Sequence, residues 1–190
     1  MAKDIKTYYE QSYIDNTLRL REVLKTLPSF VKDYFRAIEP STSSKTRISY
    51  AYDLRVFFNF LIENNPQFRS FTTNQFTVHD LELVDSMDIE EYLEFLSFYE
   101  KDGKEITNDE RGKARKLSAL RSFYNYYFQN ELIYNNPASL VPIPKRHQKE
   151  IIRLEPNEVA ILLVNGFHKK PADSVKDGDV IALFPPVGGG

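Results

Sequence analysis

Arg111, Lys113, Arg115, Lys116 and Arg121 lie close together with no acid among them, and Lys45, Thr46 and Arg47 form a second, smaller polar cluster. Long cationic side chains bind phosphate oxygens, and a helix N-terminus adds free N–H groups and a dipole of the same sign. Both clusters stand where helices are expected to start. The chemistry they imply is contact with the phosphate backbone of a nucleic acid. A solvated basic face is the competing reading. A third group, Lys145, Arg146, Lys149 and Arg153, follows in a Pro-rich stretch. Three cationic groups in separate places are harder to assign to random surface than any one of them.

The elements that must position these residues are helical. From Asn108 the chain reads NDERGKARKLSALRSFYNYYFQNELIYNNP, with Asn108 as the expected cap and Asp109 and Glu110 suited to the positive end of the dipole. Leu117, Leu120, Phe123, Tyr124 and Tyr127 recur at helical spacing, so the start of this helix is cationic and its body is core. The other cluster opens KTRISYAYDLRVFFNFLIENN, whose Ile48, Tyr52, Leu54, Phe57 and Phe58–Leu61 make a broad apolar face ended by Pro66. Before it, a weak stripe from Ile14 to Leu24 and a stronger one after Pro28 (Phe30, Val31, Tyr34, Phe35, Ile38) predict two more helices. TVHDLELVD reads as a short helical turn. A helix capped by Asp88 follows, with Tyr92, Leu93, Leu96 and Phe98 inward and Gly103 as its end. No period-2 strand pattern is visible between residues 28 and 137.

Bulk composition bounds the rest. With 190 residues, 42% of them hydrophobic, the chain can bury one good-sized core or a core plus an appendage. The net charge is −2, so a nucleic-acid site must arise from charge segregation rather than overall charge. The absence of cysteine excludes disulfides, thiolate zinc sites and a Cys nucleophile. No apolar run is long enough to span a bilayer and MAKDIKTYYEQ lacks a signal-peptide core, so a cytoplasmic location is expected. No cofactor or metal is expected.

In series, these pieces resemble the tyrosine recombinases (phage-integrase family, Xer type). That family begins with a helical core-binding domain containing Thr-x-x-x-Tyr-x-x-Asp-Leu-x-x-Phe, later Leu-Ser-Ala-Leu-Arg-x-Phe-Tyr, then Asn-Pro and a basic linker. Here they are Thr46, Tyr50, Asp53-Leu54 and Phe57, then Leu117 to Tyr124, Asn136-Pro137, and Lys145-Arg146. The resemblance runs over residues 28–153, and Arg153 to Val159 resembles the start of the family's catalytic domain. It implies a mainly α protein: a four-helix core-binding bundle over 28–143, an extra N-terminal helix in 1–27, and a basic linker over 144–159. It also implies a half-clamp on duplex DNA, with Lys45, Thr46, Arg47, Lys113, Arg115, Lys116 and Arg121 from two helix starts and Lys145 and Arg146 from the strap. Other recombinase subunits would be further partners in DNA integration and recombination. The family's catalytic Arg, Lys, His-x-x-Arg and Tyr do not map onto this chain: none of His79, His147 and His168 precedes x-x-Arg, and no tyrosine follows Tyr134. Strand cleavage by these 190 residues is therefore not expected.

From Ala160 the character changes. Ile161 to Val164 is a β-type run before the Asn165-Gly166 turn signal, and Val180 to Phe184 is a second strand candidate after Lys176-Asp177-Gly178-Asp179. Residues 160–190 resemble the C-terminal half of β-grasp sulfur carriers, through Val-Asn-Gly, Lys-Asp-Gly-Asp, Pro-Pro-Val and the final Gly189-Gly190. The resemblance implies a terminal carboxylate activated by an E1-like enzyme. A short β-hairpin-like remnant of a fusion, or a hairpin that docks on a partner, are the alternatives.

Overall fold

The structure, a computed structural model, describes residues 7–101, 103–144, 161–170 and 173–184. The chain divides into two compact units, Met1–His147 and Gln148–Gly190. The protein is mainly α, and among the described residues the α-helices lie in the first unit: α1 (Tyr8–Leu24), α2 (Val31–Ile38), α3 (Ser44–Asn64), α4 (Ser86–Phe95) and α5 (Glu110–Gln129). Short 3₁₀ segments occur at Glu39–Ser41, Thr73–Gln75, Val78–Leu83 and Pro137–Ser139.

α1 starts earlier than its apolar stripe suggests, because Thr7 and Glu10 form a reciprocal capping box. Its Leu20 and Val23, with Leu27 just beyond, join the common core, and α1 packs along α3. That core is built from rings. Phe30, Phe58, Phe123 and Tyr127 meet mostly edge to face with centroids 5.0–6.3 Å apart, the spacing at which aromatic quadrupoles attract. Two phenols are satisfied across helices: Tyr34 Oη donates to Ser122 Oγ at 2.9 Å and Tyr127 Oη donates to the Phe30 carbonyl at 2.9 Å.

Several local expectations are corrected. Asp85, not Asp88, caps α4; it accepts from the N–H groups of Met87 and Asp88, and Asp88 returns a bond to the Asp85 N–H. Asp109, not Asn108, caps α5, while Asn108 donates through Nδ2 and its backbone N–H to the Leu96 carbonyl. Phe98 is 59% exposed and Tyr52 also faces solvent. α4 ends at Phe95, so Gly103 does not terminate it. At φ +70° Gly103 turns a hairpin between β1 (Tyr99–Lys101) and β2 (Lys104–Ile106), a pair too short to show alternation in sequence.

In the second unit, β3 (Ile161–Val164) lies between β4 (Phe167–Lys169) and β5 (Ile181–Phe184), antiparallel to both. Asn165 (φ 54°) and Gly166 (φ 82°) form the two-residue β3–β4 connection, both in the left-handed region, as a tight hairpin of matched twist requires. The Asn165 side chain also ties down β5, accepting from the Val180 N–H at 2.9 Å and donating to Asp179 at 2.7 Å. β4 went unrecognised in the sequence because FHK carries no alternation. Gly189 and Gly190 lie outside the described residues.

Candidate nucleic-acid interface

α3 begins on Ser43, whose Oγ accepts from the Thr46 N–H at 3.1 Å and lies 2.9 Å from Thr46 Oγ1. Thr46 is thus part of the cap. Lys45 points to solvent. Arg47 turns the other way and is only 4% exposed. Its Nη1 donates to the carbonyls of Glu39 (2.7 Å) and Thr42 (2.9 Å), and Nη2 lies 3.4 Å from the Glu39 carboxylate. Arg47 therefore closes the α2–α3 connection and has no outward edge.

α5 begins on Asp109, which accepts from the Gly112 N–H at 2.9 Å. A side chain at Gly112 would press on Asn108, whose Oδ1 lies 3.1 Å from the place a Cβ would take. Lys113 Nζ donates to Ser97 Oγ at 2.6 Å. Arg121 faces the Pro137–Ser139 turn, donating through Nε to the Ala138 carbonyl (3.0 Å) and through Nη2 to the Val141 carbonyl (2.6 Å). That pair of bonds fastens the end of the bundle. Lys145 and Arg146 lie outside the described residues.

Arg115 and Lys116 meet an acid that the α5 sequence does not contain. Asp53 of α3, 3% exposed, accepts from both terminal guanidinium nitrogens of Arg115, Nη2 at 2.8 Å from Oδ1 and Nη1 on Oδ2, and Lys116 Nζ lies 3.4 Å from Oδ1. Burial pushes the Asp53 carboxyl up and the Lys116 ammonium down, against their mutual attraction. Behind them Tyr92 is fully buried, its phenol raised by burial and then by the Asp53 charge; among the described residues its hydroxyl has no hydrogen-bond partner.

What remains outward forms two stripes. On α5, Arg111, Arg115 and Ser118 are exposed at spacings of four and three, one helix face. On α3, Lys45 and Tyr52 share a face, and the Arg55 guanidinium lies over the Tyr52 ring at 5.0 Å. The Tyr52–Arg55 pair is not legible in the sequence, because Tyr52 falls among apolar residues at core spacing. Asp53 pairs with Arg115 and, further along both helices, Phe58 meets Phe123, so the N-terminal halves of α3 and α5 open toward the same end. Asp109 and Glu110 stand at the very start of α5, so its cationic surface begins with Arg111 and not at the N–H groups of the terminus.

A mainly α bundle with a polar cationic end and an aromatic core is the class this architecture defines. The model of the phage integrase N-terminal SAM-like domain matches residues 30–131, more than half of the 190, and the chain belongs to that family. Among curated relatives, the tyrosine recombinase XerC of Caldanaerobacter subterraneus subsp. tengcongensis is 31% identical over 175 residues, covering 88% of this chain and 47% of that protein. XerC of Leptospira interrogans is 29% identical over 66% of this chain and 33% of its own length. A tyrosine recombinase of Pseudothermotoga lettingae is 33% identical over 64% and 36%. The chain thus spans between a third and a half of these relatives. The ThiS family model matches residues 130–190, beginning well before Ala160. In the structure the first part of that match belongs to the helical unit, where Ile133, Ala138 and Val141 are buried. No solved structure matches. Among the described residues no helix is long and apolar enough to cross a membrane.

Proposed function

We propose that the helical unit binds duplex DNA as the core-binding module of a tyrosine recombinase, in DNA integration or site-specific recombination, and holds its site without cutting it. One observation carries this reading: Lys45 on α3 and Arg111 and Arg115 on α5 are exposed on helices whose N-terminal halves open the same way. Lys113 and Thr46 flank them, and Lys145 and Arg146 are proposed to extend the contact along the backbone. Arg47, Lys116 and Arg121 are left out, since their polar groups are spent on protein partners. The expected contacts are to phosphates, which set register without reading sequence.

The test is fluorescence anisotropy with a random duplex of about 30 base pairs across a salt series. Non-specific binding with a dissociation constant of roughly 10⁻⁴–10⁻⁶ M at physiological salt, tightening as salt falls, is expected. Changing Lys45, Arg111 and Lys113 together to Ala should weaken all duplexes alike and lower the salt slope by about 2–3. A wild-type chain with no salt-sensitive binding rules the reading out.

The ThiS match favours a second reading for the C-terminal unit, a sulfur carrier activated on Gly190 by an E1-like enzyme. Incubation with ATP and such an enzyme, followed by mass spectrometry, should then add AMP or sulfur to Gly190. An unmodified terminus excludes it.

A further inference from the structure

We propose that Asp53 is a positioning residue that holds Arg115 as a preformed fork for a DNA phosphate. This rests on the reading that the helical unit binds DNA. The Asp53 carboxylate is almost wholly buried, whereas the Arg115 side chain it grips is 47% exposed. A guanidinium has five N–H donors in a rigid plane. Asp53 engages the two terminal nitrogens from inside, and the donors pointing away from it stay available at the surface. The same carboxylate also faces Lys116, whose side chain is 9% exposed, so two cations share one anion and the cluster keeps one net positive charge. Lys116 and Arg115 together neutralise Asp53 while the outward donors of Arg115 engage a phosphate.

The arrangement is poorly explained as a clamp between helices. Burial opposes the charge on Asp53 and on Lys116 more than their attraction favours it, and a buried ion pair of that kind adds little to stability. What it fixes is geometry. An unrestrained surface arginine must lose rotamer freedom when it binds. Arg115 loses that freedom on folding instead, and it does so on the outward stripe beside Arg111 and Ser118.

Charge and position predict opposite signs, which makes the idea testable on the full chain. Asp53→Asn removes a negative charge next to the interface. If only the field mattered, the same random duplex would bind more tightly. If Asp53 positions Arg115, binding weakens by about tenfold, the lower end of what losing a hydrogen bond to a charged group costs. Arg115→Lys keeps the charge and loses the fork; it should weaken binding about tenfold while leaving the salt slope unchanged, a pattern that a merely structural role does not produce. On an Arg115→Gln background, Asp53→Asn should add no further loss. Unchanged or tighter binding by Asp53→Asn, wild-type affinity of Arg115→Lys, or an additive double mutant each overturns the proposal. If circular dichroism shows that Asp53→Asn does not fold, Asp53→Glu takes its place: it keeps the carboxylate but displaces its oxygens, and wild-type affinity in it is equally fatal. A wild-type chain that binds no duplex at all defeats the DNA-binding reading itself, and is recognised before any variant is made.

Discussion

Lys45 and Arg47 stand two residues apart in the first turn of α3 and have opposite fates. One is solvated; the other is enclosed, with its guanidinium on two carbonyls and a carboxylate. Sequence marks both as cations at a helix start and cannot tell them apart, because the partners of Arg47 come from the irregular stretch around Glu39 and Thr42. The same holds for Arg115 and Lys116, whose counter-ion Asp53 is 62 positions away from Arg115. The acid-free run on α5 is real in sequence but not in space. Arg47→Ala should therefore act on stability: it removes the donor that the Glu39 and Thr42 carbonyls share and should cost about 2 kcal/mol. Urea unfolding measures that loss, while the folded variant should bind duplex DNA as the wild type does. A loss of affinity with unchanged stability would reverse the assignment of Arg47.

At the scale of elements, what was legible in the sequence is what repeats. α3 and α5 carry long apolar stripes, and Phe57, Phe58, Leu117, Leu120 and Phe123 are all buried as their spacing requires. Features fixed by a single bond were not legible. Asp85 and Asp88 are both acids that could cap α4, and only the backbone decides that Asp85 does while Asp88 supplies the return bond. Asn108 and Asp109 pose the same ambiguity at α5, resolved because Asn108 is held by the Leu96 carbonyl. The β1–β2 hairpin escaped notice because each strand has three residues, too few for a period to register. Gly103 was a visible turn signal, but a glycine that ends a helix and one that turns a hairpin look alike in sequence. The candidate site was legible as two clusters; which members face outward was not, since exposure depends on α3 and α5 packing side by side.

For the helical unit as a whole, the density of buried phenols sets a limit on its alkaline stability. Tyr34, Tyr92, Tyr124 and Tyr127 are all less than 2% exposed, and burial raises each phenol above its ordinary value of 10.0. In the unfolded chain these groups ionise near pH 10, whereas in the folded chain they keep their protons. The folded state therefore binds more protons above that pH, and stability that is fully present below about 10 is lost as pH rises. Each such group costs the folded state about 1.4 kcal/mol per pH unit, so four of them overtake a typical domain stability within about two units. Lys116 acts in the opposite sense, since its lowered ammonium makes the fold more stable as pH approaches 10.5, but it is one group against four. Helix signal at 222 nm and tyrosinate absorbance, followed together through this range, should change in one cooperative step for the buried set. Full tyrosinate absorbance from an intact helical bundle would mean that these rings are reached by hydroxide without unfolding, and that the aromatic core is less closed than its contacts imply.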